Sequence, residues 1–247
     1  MPLHYGTMIS IPDISCFYDA NCINNNVQYI LPEPETHHAL HVLRLKLNDS
    51  ILVSNGKGTI YQATIVAVKR NEVAYCTQFE IVQNLHNLYK HSIACGVLSS
   101  TQRMEWMIEK LVEIGINDII FFTTKRSQRK KIKLQRLEKV AISALKQSKK
   151  AFKPNLSLID FEQLLKVDAN QKFVAICDDS NYLHLSNQLE TSNALTVIGP
   201  EGDFEPNEVN ALLNNNFKPC ALGNERLRSE TAAIYALTCK NLKTNLH

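Results

Sequence analysis

From the N-terminus to about Val82 the apolar residues come in short blocks that suit strands. Gln28–Leu31 is the first clear one. Pro32-Glu33-Pro34-Glu35 then carries the proline and acids of a helix start, and that helix extends through His38, Val42 and Leu43. Leu47-Asn48-Asp49 is a turn. Ile51–Ser54 and Thr59–Val68 flank Asn55-Gly56-Lys57-Gly58 and predict a hairpin, and Lys69-Arg70-Asn71 turns the chain again into Glu72–Val82. The expected product is a small barrel-like β domain over residues 1–82. Gln83–Lys90 is polar and reads as the link into a second domain, 83–247.

Beyond the link the period changes. His91–Leu98 and Asp118–Thr123 are strand blocks. Between them Met104, Met107, Ile108, Leu111 and Val112 share one helical face that Gly115 closes. Leu134, Leu137, Ala141, Ala144 and Leu145 predict another amphipathic helix. Lys172–Cys177, Ala194–Ile198 and Pro219–Leu222 are further strands, with helices near Pro206–Asn214 and Ser229–Leu242. Strands alternating with helices predict a parallel α/β sheet.

Composition narrows the class. Of 247 residues 45% are hydrophobic and 21% charged, the balance of a packed globular chain and not of a disordered one. No apolar run approaches the roughly 20 residues of a membrane span. Residues 1–10 lack the basic start and apolar stretch of a secretory signal, so a cytoplasmic protein is expected. The seven cysteines form no Cys-x-x-Cys pair and several sit in apolar runs, as buried reduced thiols would. His37 and His41 share a helix face, but no cysteine or carboxylate completes a ligand set, and no metal is expected.

The net charge of +3 conceals a strong asymmetry. Lys125 to Lys153 holds twelve Lys and Arg against one acid, Glu138, so the stretch carries +11 and the rest of the chain −8. Such a segment on an acidic body predicts a polyanionic partner, with nucleic acid foremost; a solvated helix face is the plainer reading. Glycine is scarce at eight residues, yet Gly199, Gly202 and Gly223 lie within 25 positions, after the predicted strands ending at Ile198 and Leu222. Ligands of open α/β sheets sit beyond the carboxyl ends of strands, where glycine permits close backbone approach. Two ordinary strand-to-helix turns would give the same spacing. Neither a Gly-x-Gly-x-x-Gly nor a P-loop pattern is present.

These loops carry a resemblance. Gly199-Pro200-Glu201-Gly202, then Leu222-Gly223, then Leu227-Arg228-Ser229-Glu230-Thr231-Ala232, resemble the bacterial small-subunit ribosomal RNA methyltransferase E family of the SPOUT superfamily. His38 to Arg44, Arg103-Met104-Glu105-Trp106 with Lys110, Glu113 and Gly115, Arg126-Ser127 and Gln147-Ser148 are similar to further family elements. The chain departs at Asp203, where the family usually has glycine, at Asn224-Glu225, where it has Pro-Arg, and at Lys146, where it has Glu. The resemblance implies an α/β fold: a C-terminal trefoil-knotted methyltransferase domain behind an N-terminal PUA-like β-barrel. It also implies a homodimer that uses S-adenosylmethionine to methylate N3 of a uridine in 16S ribosomal RNA or the small ribosomal subunit. The cofactor residues it implies are Cys177, Ile198, Gly199, Pro200, Glu201, Gly202, Leu222, Gly223, Leu227, Arg228, Thr231 and Ala232. The RNA-binding candidates are Arg44, Lys46, Arg126, Arg129, Lys130 and Lys131.

Uridine N3 is a poor nucleophile until it loses its proton. A fixed cation can stabilise the charge that spreads onto O2 and O4, which makes Arg228 a catalytic candidate; a salt bridge to Glu230 or Glu225, or a phosphate contact, would explain it equally. Glu201 is the second candidate, as a base if its pKa is raised or as an acceptor that orients the ligand loop. Glu230 is a base candidate on the same terms, or a helix N-terminal acid. A non-catalytic RNA-binding protein and a related knotted enzyme acting on transfer RNA fit the same residues.

Overall fold

The predicted hairpin is the centre of the first unit. In a computed structural model, which describes residues 11–82, 90–127, 131–177, 181–190 and 192–245, the chain divides into two units: Met1–Asn84 with Leu145–Phe152, and Leu85–Ala144 with Lys153–His247. The first contains β1 (Cys16–Tyr18), β2 (Gln28–Ile30), α1 (Glu33–His37), β3 (Ser50–Ser54), β4 (Thr59–Lys69) and β5 (Glu72–Val82). They form one sheet in the order β1-β3-β4-β5-β2. β1 runs parallel to β3, and the other pairs are antiparallel. The three-residue β1 is too short for its pattern to stand out in the sequence. At the β3–β4 turn, Asn55 Oδ1 accepts from the Lys57 and Thr59 amides at 2.8 and 3.1 Å. Gly58 has φ +118°, and a Cβ there would lie 2.7 Å from the Phe152 ring.

Ile51–Ser54 is an uninterrupted buried run because the sheet is covered on both faces. Ile51 and Val53 pack with Phe17, Tyr61, Ile65 and Tyr75; Leu52 packs with Cys16, Ile60, Ile81 and Ala151. Leu145–Phe152, the end of the basic segment, is thus a structural part of this unit. Lys146 Nζ meets Glu35 Oε1 at 2.8 Å, Lys149 Nζ meets Asp13 Oδ1 at 2.8 Å, and the Lys150 carbonyl accepts from Ser54 Oγ at 2.8 Å. α1 continues, as expected, but as a π-helical turn, His38–Val42. Among the described residues no group of three His, Cys, Asp or Glu could hold a metal ion.

The second unit contains β6 (His91–Gly96), α2 (Thr101–Ile114), β7 (Asp118–Thr123), α3 (Leu134–Gln147), β8 (Asn155–Asp160), α4 (Phe161–Leu165), β9 (Gln171–Ala175), α5 (Leu185–Gln188), β10 (Ala194–Ile198), α6 (Pro206–Asn214), β11 (Lys218–Cys220) and α7 (Ser229–Asn245). The end of α3 belongs to the first unit. Six parallel strands lie in the order β11-β9-β10-β6-β7-β8. α2 begins at Ser100, whose side chain accepts from the Arg103 amide, and ends at Gly115 with φ +104°. Its five predicted apolar residues are buried.

In this unit three elements escaped the sequence pattern: β8, an edge strand of mostly half-buried residues, and the short helices α4 and α5. A signal for α4 exists, since Asp160 and Gln163 form a capping box. β9 ends two residues before Cys177, and β11 ends two before Leu222, so both residues lie in loops instead of strands. Among the described residues no helix is long and apolar enough to cross a membrane.

Candidate functional site

The carboxyl ends of β9, β10 and β11 open onto a cavity of about 500 Å³. Three loops line it, and the sequence builds each differently. After β10, Gly199 has no room for a side chain without displacement: a Cβ would lie 3.2 Å from Asp203 Oδ1 and from the Phe204 ring. The chain then turns, with the Asp203 amide donating to the Pro200 carbonyl at 2.9 Å. Asp203 adopts φ +58° and its Oδ1 accepts from the Phe204 amide at 2.8 Å. Aspartate tolerates this left-handed conformation better than most residues, which accounts for its standing where a glycine was expected. Pro200 also presses on β6, since a Cβ on Gly96 would come within 2.5 Å of the Pro200 nitrogen.

After β11, Gly223 has φ +131° with open space around its Cβ direction. Conformation, not crowding, requires glycine there. Asn224 and Glu225 follow it, exposed at the cavity. The third loop, after β9, brings Ile176, Cys177, Asn181 and Tyr182 to the wall.

Of the sequence-predicted cofactor residues, Cys177, Ile198, Gly199, Pro200, Glu201, Leu222, Gly223, Leu227, Arg228 and Ala232 line this cavity. Gly202 does not: it faces Arg126, whose Nη1 donates to its carbonyl at 3.2 Å. Thr231 does not either, and is exposed on α7. Arg228 is exposed and, among the described residues, makes no ion pair. The salt bridge to Glu230 or Glu225 raised by the sequence is therefore absent.

The sequence missed Arg103 as a wall residue. Its guanidinium forks onto Glu230, with Nε 2.8 Å from Oε1 and Nη2 bonded to Oε2, while Nη1 bonds Glu201 Oε1. Glu201 also accepts from the Ser99 amide and Oγ, both at 2.9 Å. Burial acts to raise the Glu230 carboxyl, but the Arg103 hydrogen bonds and the charges of Arg103 and Arg228 hold it below the usual carboxylate range. The only sequence hint was Arg103 within the family-like helix.

The RNA-binding candidates fall in both units. Arg44, with φ +55°, and Lys46 are exposed after the π-helical turn. Arg126 and Lys131 are exposed in the second unit; Arg129 and Lys130 lie outside the described residues. The basic segment is partly neutralised from within, since Lys125 pairs with Glu205 and Arg136 with Glu105, besides the Lys146 and Lys149 pairs.

A cavity beyond the strand ends of a parallel sheet, walled by glycine turns, defines a ligand-binding α/β domain, and comparison narrows the class to RNA methyltransferases. A family model described as an RNA methyltransferase domain matches residues 86–241, and one described as an RNA methyltransferase PUA domain matches residues 31–74. The Bacillus subtilis ribosomal RNA small subunit methyltransferase E is 30% identical over 86% of this chain and 89% of its own. A probable rRNA-methyltransferase from Porphyromonas gingivalis, known by crystal structure, has a TM-score of 0.83 and 31% identity, covering 94% of this chain and 99% of its own. The Neisseria gonorrhoeae methyltransferase E, solved bound to S-adenosyl methionine, shares the fold with a TM-score of 0.84 at 22% identity, over 93% of this chain and 97% of its own. The chain belongs to the ribosomal RNA small subunit methyltransferase E family.

Proposed function

We propose that this protein methylates N3 of a uridine in 16S ribosomal RNA with S-adenosylmethionine as donor. The observation that carries the proposal is the cavity with Arg228 at its wall, an arginine that has no ion pair among the described residues. About 500 Å³ lies within the usual range for small-molecule sites. The residues fit the donor: backbone stands bare at Gly223, and Ile198, Leu222 and Leu227 supply apolar wall. When bound, S-adenosylmethionine supplies an electrophilic methyl group on a sulfonium.

Both oxygens of Glu201 are engaged, as are both of Glu230, so these carboxylates orient the loops and are poorly placed to take a proton. Among the described residues no group pairs with Arg228, and its donors stabilise the charge that develops on the uracil oxygens. The exposed cations of both units bind phosphate. The expected trefoil knot belongs to the same proposal, as does a homodimer. The small and apolar α7 residues Ala232, Ala233, Ala236 and Leu237 are buried in the chain's own unit and are not available for a dimer contact. The exposed Leu183, Tyr235 and Leu242 are the better candidates for it, and light scattering tests it: a fully active monomer at micromolar concentration would remove the dimer.

The test of function is mass mapping of 16S ribosomal RNA from cells lacking the protein, followed by methyl transfer in vitro. Loss of one uridine methyl group, restored by the purified protein with S-adenosylmethionine, is the expected result. An unchanged RNA refutes the proposal.

A further inference from the structure

Three segments of the second unit meet at one guanidinium, and Ser99 joins them through Glu201. Ser99 precedes α2, Arg103 sits in the first turn of α2, Glu201 lies in the loop after β10, and Glu230 lies in the first turn of α7. Ser99 and Arg103 together saturate Glu201, and Arg103 alone forks onto Glu230. The Glu230 side chain is only 7% exposed and that of Arg103 28%. One cation therefore ties the loop carrying Gly199 and Pro200 to the helix start that follows Leu227 and Arg228. The tie reaches 98 residues along the chain to Glu201 and 127 to Glu230.

Ion pairs shielded from water add little net stability, because desolvation offsets the attraction. What a forked guanidinium does well is hold its acceptors in one geometry. Here both acceptors belong to cavity-forming segments, and Arg103 itself reaches the cavity wall. The arrangement suits alignment better than it suits stabilisation.

We propose that Arg103 is a positioning residue for methyl transfer: acting through Glu201 and Glu230, it sets the Gly199–Gly202 loop against Arg228. The inference rests on the function proposed above. In Arg103→Lys and Arg103→Gln, kcat should fall about 100-fold, the scale of a misplacement near 1 Å, with KM for RNA changed only a few-fold. Lysine should recover most of the melting temperature lost in the glutamine variant but not kcat, since an ammonium cannot fork onto two carboxylates. Glu230→Gln should lose a similar factor, and the double variant Arg103→Gln/Glu230→Gln should be little worse than either single one. A lysine variant with a native melting temperature and native kcat overturns the proposal.

A second measurement keeps the test independent of the substrate. In Arg103→Lys, amide hydrogen exchange should quicken together in residues 199–203 and 228–233 and nowhere else in the unit. Unchanged exchange in both segments overturns the positioning role. A wild-type protein that methylates no ribosomal RNA defeats the proposed function instead, and leaves exchange to decide what Arg103 holds.

Discussion

His91 opens β6 with 2% of its surface exposed, and neither ring nitrogen has a hydrogen-bond partner among the described residues. The Lys240 ammonium acts on it from α7, where it is held by the Glu190 and Ser192 carbonyls at 2.8 and 2.6 Å. Burial, and then that cation, push the imidazole down to about 3. In the unfolded chain the same side chain titrates near 6.5. The unfolded state therefore takes up a proton that the folded state refuses. The resulting stability is fully present above about pH 6.5 and is lost as pH falls toward about 3, at about 1.4 kcal/mol per unit. Between about pH 6.5 and about pH 4.5 the loss is about 3 kcal/mol, large against the 5–15 kcal/mol of a typical domain. His91→Leu removes the proton uptake and keeps apolar packing. Urea unfolding across this range can be followed by the fluorescence of Trp106, the chain's one tryptophan, on α2 of the same unit. Carboxylates titrate in both proteins, so the difference in slope isolates His91. Wild type should lose about 1.4 kcal/mol more per pH unit than the variant; parallel slopes would refute the reasoning.

Arg228→Lys keeps the charge at the cavity and loses the planar fork, so single-turnover transfer at saturating cofactor and RNA should fall roughly 100–1000-fold; a fall below about tenfold would leave phosphate binding as the role of Arg228. Lys131, Lys133 and Lys139 are exposed, and changing them together to alanine should reduce the salt slope of RNA binding by about 0.7–0.9 for each phosphate that is no longer neutralised, with cofactor affinity unchanged by calorimetry. Lys146→Met leaves the buried Glu35 carboxylate without its cation and should cost the first unit about 3 kcal/mol in denaturant unfolding, most of it regained in Lys146→Met/Glu35→Gln.

Local chemistry made much of this protein legible without coordinates. The hairpin at Asn55–Gly58, the α2 stripe from Met104 to Val112 with Gly115 behind it, and the glycine turns beyond Ile198 all depend on residues within a few positions of one another. So does the family-like series from Gly199 to Ala232. Long-range pairing is a different matter. Periodicity says that strands exist but not that β10 lies between β9 and β6, because one apolar run fits any neighbour of similar shape. The twelve cations between Lys125 and Lys153 stand out as a block, yet Lys146 and Lys149 are spent on Glu35 and Asp13 inside the first unit. Cys177 and Leu222 looked like strand residues because they extend apolar runs, and only the register of β9 and β11 moved them into the loops that line the cavity. Arg103 carried no mark of its own. Its meaning depends on two carboxylates that only the folded sheet brings within reach of one guanidinium, and a charge pair separated by a hundred residues leaves no periodic trace in sequence.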